Sequence, residues 1–193
     1  MKDWTNYQNE TYGDDVCKLL IEFLDNYKID NAIDLGCGSG NETVYMIKNG
    51  IKVLAIDRQL NQDFILNRLS DSEKRLISFK KSSFEDVELP KTKLLTAFFS
   101  IPFCNPNNFD ELWTKIYNSI EDNGYFVGQL FGDRDAWNVV ESINTFSIDK
   151  VNEYLKNYNI IKLEEIEYVR ESDNKKWHFY DIMAQKKVGD KHE

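Results

Sequence analysis

Cysteine, proline and histidine are all scarce in this chain of 193 residues, which has three, three and two of them respectively. The cysteines Cys17, Cys37 and Cys104 are odd in number, lie far apart and form no CxxC pair. This spacing argues against a disulfide framework and against a structural zinc site. We therefore expect a protein of a reducing compartment, the cytoplasm, without a bound metal.

Long apolar runs and an excess of positive charge are also missing. No run of about 18 apolar residues exists, so the sequence predicts no transmembrane helix and no membrane partner. The first residues lack the apolar core of a signal peptide. The formal net charge is −9, whereas a protein that neutralises many phosphates usually carries a basic patch. The composition therefore disfavours nucleic acid as a partner, and it leaves the oligomeric state open.

Segments with strand patterns alternate with segments with helix patterns along most of the chain, and the length is that of one domain, residues 1–193. A first helix is expected after Asp14 or Asp15, and another after Ser147 as its N-terminal cap. The end of the chain reads as an antiparallel hairpin. We predict an α/β fold with a mostly parallel sheet, one antiparallel strand and helices on both faces. The predicted strands are 32–35, 51–57, 76–79, 94–99, 125–131, 160–170 and 177–184, and the other predicted helices are 43–49, 61–69 and 109–120.

A glycine-rich turn follows the first predicted strand, with Gly36, Gly38 and Gly40 alternating with other residues. A dinucleotide-binding G-x-G-x-x-G turn would need glycine at position 41, where this chain has Asn41, so a nicotinamide-dependent dehydrogenase is disfavoured. Asp34 would repel a pyrophosphate but could hold a cationic amino group. Asp57 ends the next predicted strand, and its distance in sequence from Gly40 is close to that expected for a carboxylate that binds ribose hydroxyls.

Residues 34–40 resemble motif I of the class I S-adenosylmethionine (SAM)-dependent methyltransferases. Segments 100–104, 128–134 and 176–179 resemble a bacterial subgroup near the tellurite-resistance-type and small-molecule enzymes. The resemblance implies a Rossmann-like, doubly wound fold that binds SAM at the carboxyl ends of its strands. It also implies an enzyme that transfers the methyl group by SN2 displacement to a small-molecule acceptor, which the resemblance does not identify.

The same resemblance implies a set of cofactor-binding residues. Asp34 would orient the amino group of SAM, directly or through water. The three glycines would admit the methionine portion, and Asp57 would accept hydrogen bonds from the ribose. Arg58, Ser83 and Phe84 would lie near the adenine, and Phe99 and Ser100 would lie near the sulfonium. The whole set is Asp34, Gly36, Gly38, Gly40, Asp57, Arg58, Ser83, Phe84, Phe99 and Ser100.

Aromatic residues and one histidine are the candidates for the acceptor side. Residues 1–13 form either a frayed terminus or a lid whose rings exclude water. His178 is either a general base or a structural hydrogen-bonding residue, and the sequence leaves both roles open. In the predicted final strand, Trp177 and Phe179 share one face and His178 lies on the other. The predicted substrate-pocket residues are Trp4, Tyr7, Tyr12, Pro102, Phe103 and Trp177.

Two other functions remain as alternatives. One is a SAM-binding module without catalysis, which the cofactor motifs do not distinguish from an enzyme. The other is a nucleobase amino-group methyltransferase, because Ser100-Ile101-Pro102-Phe103 resembles the signature of that family except at Ile101. The negative net charge weakens the second alternative.

Overall fold

The computed structural model describes residues 5–188, apart from the side chains of Thr5 and Tyr7. Within this part of the chain, six α-helices and seven β-strands are connected by turns and short 3₁₀ segments. The helices are α1 Thr5–Glu10, α2 Lys18–Asn26, α3 Asn41–Lys48, α4 Gln62–Leu66, α5 Phe109–Ser119 and α6 Ile148–Leu155. The strands are β1 Asn31–Leu35, β2 Lys52–Asp57, β3 Ile77–Lys81, β4 Thr92–Ala97, β5 Ile120–Phe131, β6 Tyr158–Arg170 and β7 Lys175–Lys186.

The seven strands form one sheet in the order β3-β2-β1-β4-β5-β7-β6. Strands β1 to β5 pair in parallel, whereas β7 pairs antiparallel with both β5 and β6. The predicted α/β fold with a single reversed strand is confirmed. The strand order reverses between β1 and β4, and open parallel sheets bind their ligands in the crevice beyond the strand ends at such a point.

Two apolar clusters cover the two faces of the sheet. One contains Leu112 and Ile116 of α5 with Val151 of α6, and the other contains Phe23 of α2 and Met46 of α3. Alternate residues of β1 and β4 enter opposite clusters, because successive side chains of a strand point to opposite faces. Helices therefore lie on both faces, as the sequence predicts. Whether residues 1–193 form one domain stays a prediction.

The first long helix begins later than the sequence predicts. It starts at Lys18 rather than after Asp14 or Asp15, and neither of these aspartates caps it. Glu42 of α3 instead provides a carboxylate at the start of this helix, where its side chain accepts a hydrogen bond from the backbone N–H of Cys17 at 3.1 Å. The predicted cap of α6 is confirmed, because the Ser147 hydroxyl accepts from the backbone N–H of Lys150.

Strand β5 begins five residues before the predicted start at Tyr125. Its pairing with β4 advances from Ile120 to Tyr125 while β4 advances only from Thr92 to Leu94. The intervening residues form a bulge, in which Asn123 has a φ of 61°. Residues 121–124, which lie between the predicted helix and the predicted strand, are therefore an irregularity inside the strand. None of the helices in residues 5–188 is both long enough and apolar enough to span a membrane.

Candidate functional site

The glycine turn lies at the end of β1, beside the reversal in strand order. Gly36 has a φ of 80°, and a Cβ placed there would lie 2.3 Å from Cβ of Ser100. Gly40 has a φ of 78°, and a Cβ there would lie 2.3 Å from a side-chain carbon of Ile65. Side chains are thus excluded at both positions by backbone conformation and by close packing. At Gly38, in contrast, no described heavy atom lies within 4 Å of the Cβ position, so the turn borders open space.

Asp57 ends β2 and faces the glycine turn. One carboxylate oxygen accepts a hydrogen bond from the backbone N–H of Gly38 at 3.0 Å, and the other accepts from that of Gln59 at 2.8 Å. Each carboxylate oxygen can accept a further hydrogen bond. The structure therefore brings the predicted ribose-binding carboxylate and the predicted glycine turn together.

Asp34 lies beneath the turn rather than in it. Its side chain is buried, and its two oxygens accept hydrogen bonds from the hydroxyls of Thr43 and Thr96. Burial, together with the nearby Glu42 carboxylate, raises the pKa of Asp34 to about 7. Since the carboxyl group is buried as well as hydrogen-bonded, the geometry favours a supporting role for Asp34 over a direct contact with an amino group.

The loops that follow β3 and β4 meet at Gly36. Ser100 donates a hydrogen bond from its hydroxyl to the carbonyl of Leu35 at 2.6 Å. The ring of Phe84 comes within 3.2 Å of the Cβ position of Gly36. Ser83 instead closes its own turn, since its hydroxyl donates to the Asp86 carboxylate at 2.8 Å.

Two cavities lie at the ends of β2 and β3. One of about 320 Å³ is lined by Arg58 and Ser83 together with Lys81, Ser82 and Asp86. The other, of about 420 Å³, is lined by Lys81 and by residues 59–63 and Gln8. The structure therefore places two of the predicted adenine-binding residues around one cavity.

Five aromatic side chains, which we call the aromatic group, lie at the ends of β4 and β5 and on the adjoining part of β7. They are Phe99, Phe103, Phe131, Trp177 and Phe179. The ring centre of Phe99 lies 5.5 Å from that of Phe131, 5.6 Å from that of Trp177 and 5.0 Å from that of Phe179. The ring of Phe103 contacts Phe131 at 5.8 Å. Trp177 and Phe179 share one strand face, in line with the predicted alternation.

Pro102 lies next to the aromatic group but is buried. Its carbonyl accepts hydrogen bonds from the backbone N–H and the side-chain amide of Asn144, both at 2.9 Å. Pro102 therefore anchors the loop that follows β4. Of the predicted pocket residues, Trp177 contacts Phe99 directly, and Phe103 contacts Phe131, which in turn contacts Phe99.

His178 is fully buried, and hydrogen bonds engage both of its ring nitrogens. Nδ1 accepts from the backbone N–H of Arg134 at 2.9 Å, which assigns the ring proton to Nε2, 2.8 Å from a carboxylate oxygen of Glu165. Its backbone N–H donates to Asp135, and its carbonyl accepts from Gly132. Because both ring nitrogens are engaged, the geometry favours the structural alternative, and the general-base role stays a prediction.

Residues 8–13, part of the segment for which the sequence leaves a frayed terminus or a lid, dock beside the glycine turn. Gln8 donates a hydrogen bond to the carbonyl of Gln59 at 3.0 Å. Tyr12 stacks near the Arg68 guanidinium and contacts Phe64, and its side chain is still 43% exposed. Trp4 and the side chain of Tyr7 lie outside the described residues, so their predicted pocket role stays a prediction.

Asn41 and Arg68 hold this segment, and sequence reasoning missed the role of both. The Asn41 side chain accepts hydrogen bonds from the backbone N–H of Gly13 and from Arg68, and it donates to the carbonyl of Thr11 at 2.8 Å. Arg68 also donates to the carbonyl of Ser39. The asparagine was visible as a departure from the dinucleotide pattern, but its partners lie 27 to 30 residues away in sequence.

Metal ligation has no support in the part of the chain that the structure describes. Over residues 5–188, no group of three or more histidine, cysteine, aspartate or glutamate side chains has the arrangement of a metal site.

Comparison of the sequence with known protein families finds a match to a methyltransferase domain. A family described as a methyltransferase domain matches residues 33–128, which run from β1 through most of β5. The chain is 28% identical over 146 residues to a carboxy-S-adenosyl-L-methionine synthase of Helicobacter pylori strain G27. That alignment covers 70% of this chain and 59% of the relative, so the chain spans less than two thirds of the relative's length.

Two solved structures show the same fold at low sequence identity. TehB from Haemophilus influenzae superposes with a TM-score of 0.79 and 19% identity, over 94% of this chain and 66% of that one. The 1,6-didemethyltoxoflavin-N1-methyltransferase of Burkholderia thailandensis, solved with bound 1,6-didemethyltoxoflavin and S-adenosylhomocysteine, superposes with a TM-score of 0.74 and 12% identity. The second alignment covers 96% of this chain and 84% of that one.

Proposed function

We propose that this chain, which carries the methyltransferase domain and the fold of the class I SAM-dependent methyltransferases, binds SAM and transfers its methyl group to a small-molecule acceptor. One observation carries the proposal. The Asp57 carboxylate and the open side of Gly38 meet at the point where the strand order reverses. This arrangement suits a ligand that has both a ribose and an extended amino-acid portion.

The residues around the turn fit the parts of SAM. Asp57 would accept hydrogen bonds from the ribose hydroxyls, and the bare backbone at Gly38 would admit the methionine portion. Arg58 and Ser83, which line one cavity, would flank the adenine together with Phe84. Phe99 and Ser100 would lie near the sulfonium, since Ser100 contacts Gly36.

The charge of the site also suits this cofactor. Asp34, Glu42 and Asp57 lie near one another, and each of the other two carboxylates raises the pKa of Asp34. The Asp57 carboxylate at the turn provides a negative potential that attracts cationic ligands, whereas burial keeps Asp34 partly protonated near pH 7. SAM carries a positive sulfonium and a positive amino group, and its activated methyl is the chemistry that it would supply.

The protein contributes alignment and exclusion of water. The bond between carbon and sulfur breaks with its electron pair on sulfur while the acceptor lone pair forms the new bond, so in-line placement is the main requirement. Residues 5–13 dock beside the turn, and we propose that residues 1–13 shield the site as a lid. Trp4, Tyr7 and Tyr12 belong to this lid.

A binding measurement tests the cofactor assignment. Asp57→Ala removes the ribose acceptor, and we expect calorimetry to show at least a tenfold weaker affinity for SAM and S-adenosylhomocysteine, about 1.4 kcal/mol or more. Asp71→Ala is the matched control, because the Asp71 side chain is 99% exposed on the surface. Equal affinities for the two variants would overturn the assignment of Asp57.

A transfer measurement separates an enzyme from a binding module without catalysis. The purified protein is incubated with tritium-labelled SAM and the small-molecule fraction of a cell extract, and the labelled products are then separated. We expect a labelled product that depends on the protein and that falls about tenfold in the Asp57→Ala variant when SAM is well below saturation. Binding of S-adenosylhomocysteine without any transfer would instead support the module. The cytoplasmic location stays a prediction from cysteine usage.

A further inference from the structure

We propose that the aromatic group binds the methyl acceptor, and that this acceptor is a small planar N-heteroaromatic amine. The inference rests on the proposed function and goes further, because it names the chemical class of the acceptor. Three features carry it: the position of the aromatic group, a buried indole N–H without a partner, and the pairing of both arginines beside the group.

The aromatic group lies close to the glycine turn in space, because Phe99 is the neighbour of a residue that contacts this turn. Ser100 contacts Gly36, and its neighbour Phe99 turns its ring toward Phe131, Trp177 and Phe179. Phe99 has a φ of 45°, a conformation that costs a residue other than glycine about 1–2 kcal/mol. The fold holds this ring, despite that cost, beside the place where the methyl group of SAM would lie.

Part of the aromatic group is open to a ligand. Phe131 and Phe179 are buried at 1% and 7% exposure, whereas Phe99, Phe103 and Trp177 are only partly buried. The buried rings support the outer ones from below. Aromatic surfaces favour other rings in stacked or edge-to-face arrangements, so a planar ring is the shape that fits.

The indole N–H of Trp177 is shielded from solvent and has no hydrogen-bond partner among residues 5–188. A buried donor without a partner costs about 1–3 kcal/mol. Lys175 and Tyr168 already contact the Trp177 ring, the lysine with its nitrogen 4.1 Å from the ring centre. A ligand with an acceptor nitrogen in its ring would supply the missing partner of this N–H.

Both arginines beside the aromatic group are joined in ion pairs, whereas Lys175 lies against the rings of Trp137 and Trp177. Arg134 binds Glu165 and Glu167, and Arg170 binds Asp173. A site for an oxyanion or a carboxylate needs cations that are not neutralised by neighbouring carboxylates. The pairing of both arginines, together with the contact of Lys175 with aromatic rings, therefore favours an uncharged aromatic acceptor over an anionic one.

Methylation of such an acceptor balances without a further reactant. The lone pair of the amine nitrogen forms the new N–CH₃ bond, and the S–CH₃ bond breaks with its electron pair on sulfur. The proton released from the nitrogen goes to water.

Nuclear magnetic resonance tests the site directly. The chain has four tryptophans, and the signal lost in Trp177→Phe assigns the indole N–H of Trp177. The protein is first saturated with S-adenosylhomocysteine and is then titrated separately with 3-aminoquinoline, cyclohexylamine and selenite. We expect a saturable shift of the Trp177 indole signal with 3-aminoquinoline only, and roughly tenfold weaker binding to Trp177→Phe.

The outcomes separate this inference from the proposed function. Tyr117→Phe is the control variant, because Tyr117 packs against Tyr158, outside the aromatic group, and its substitution should not change the binding of 3-aminoquinoline. Saturation with S-adenosylhomocysteine followed by no shift with 3-aminoquinoline would overturn the acceptor class alone. A shift with selenite or cyclohexylamine equal to that with 3-aminoquinoline would also overturn it. Failure to bind S-adenosylhomocysteine would overturn the proposed function itself.

Discussion

The three glycines of the turn differ in what their surroundings allow. A side chain at Gly36 or Gly40 would collide with Ser100 or Ile65, whereas a side chain at Gly38 would meet no described atom. All three have positive φ, which disfavours any L residue. Steric collision therefore distinguishes Gly36 and Gly40, and only the backbone conformation restricts Gly38.

Alanine substitutions should reveal this difference. We expect Gly38→Ala to lower the free energy of unfolding by about 1–2 kcal/mol through backbone strain alone. Gly36→Ala and Gly40→Ala should each cost about 1–3 kcal/mol more, because overpacking adds to the strain. Urea denaturation of the three variants measures the effect. Equal losses at all three positions would contradict the packing argument.

Asp34 predicts how stability depends on pH. Its pKa is about 7 in the folded protein and 3.8 as the reference value, so between these values the folded state holds a proton that the unfolded state releases. Stability contributed by this group is therefore complete below about pH 4 and declines as pH rises to about 7.

Asp34→Asn keeps the shape of the neutral side chain and should remove this decline. At pH 8 we expect the variant to be more stable than the parent by about 2–4 kcal/mol, at about 1.4 kcal/mol per pKa unit. At pH 4 the two proteins should differ little. Urea denaturation at both pH values checks the prediction, and an asparagine variant that is less stable at pH 8 would refute the buried-acid assignment.

At the scale of single elements, the docking of α1 and the following turn depends on one side chain. Asn41 accepts hydrogen bonds from Gly13 and Arg68 and donates one to Thr11. Asn41 lies at the start of α3, where a dinucleotide-binding turn would have glycine. The departure from that pattern is therefore the feature that attaches the N-terminal segment to the cofactor turn.

Asn41→Gly should release this segment while preserving the turn. We expect faster hydrogen–deuterium exchange over residues 5–13, by about fivefold to a hundredfold, for the loss of about 1–3 kcal/mol of hydrogen bonding. Mass spectrometry of peptides measures the exchange. Asn26→Ala is the control, since that side chain bonds only to its own helix at Glu22 among the described contacts. Unchanged exchange in Asn41→Gly would show that other contacts hold the segment.

At the scale of the whole molecule, the reversed strand β7 lies between β5 and β6 and joins the parallel part of the sheet to the edge strand. His178 near the start of β7 binds Gly132, Arg134 and Asp135 in the loop after β5 and Glu165 in β6. A Cβ at Gly132 would lie 2.1 Å from the histidine ring, so the loop packs directly against it. This contact orders the loop that borders the aromatic group.

His178→Ala tests the structural role against the general-base role. We expect the free energy of unfolding to fall by about 2–4 kcal/mol, because a buried, hydrogen-bonded ring is lost. Affinity for S-adenosylhomocysteine, measured by calorimetry below the unfolding temperature, should stay within about twofold, since the ring does not contact the glycine turn. Unchanged stability would contradict the structural role.

The sequence by itself determined the α/β class, the reversed strand of the terminal hairpin, the glycine turn and the carboxylate that faces it. These features follow from local periodicity and spacing, which depend on residues close together in the chain. Only the tertiary structure decided that Asp34 is buried between threonines, that His178 is locked by the loop after β5, and that Asn41 holds residues 11–13. Each of these contacts joins residues 9 to 62 positions apart, and the packing of the elements, rather than any local pattern, sets which partners meet.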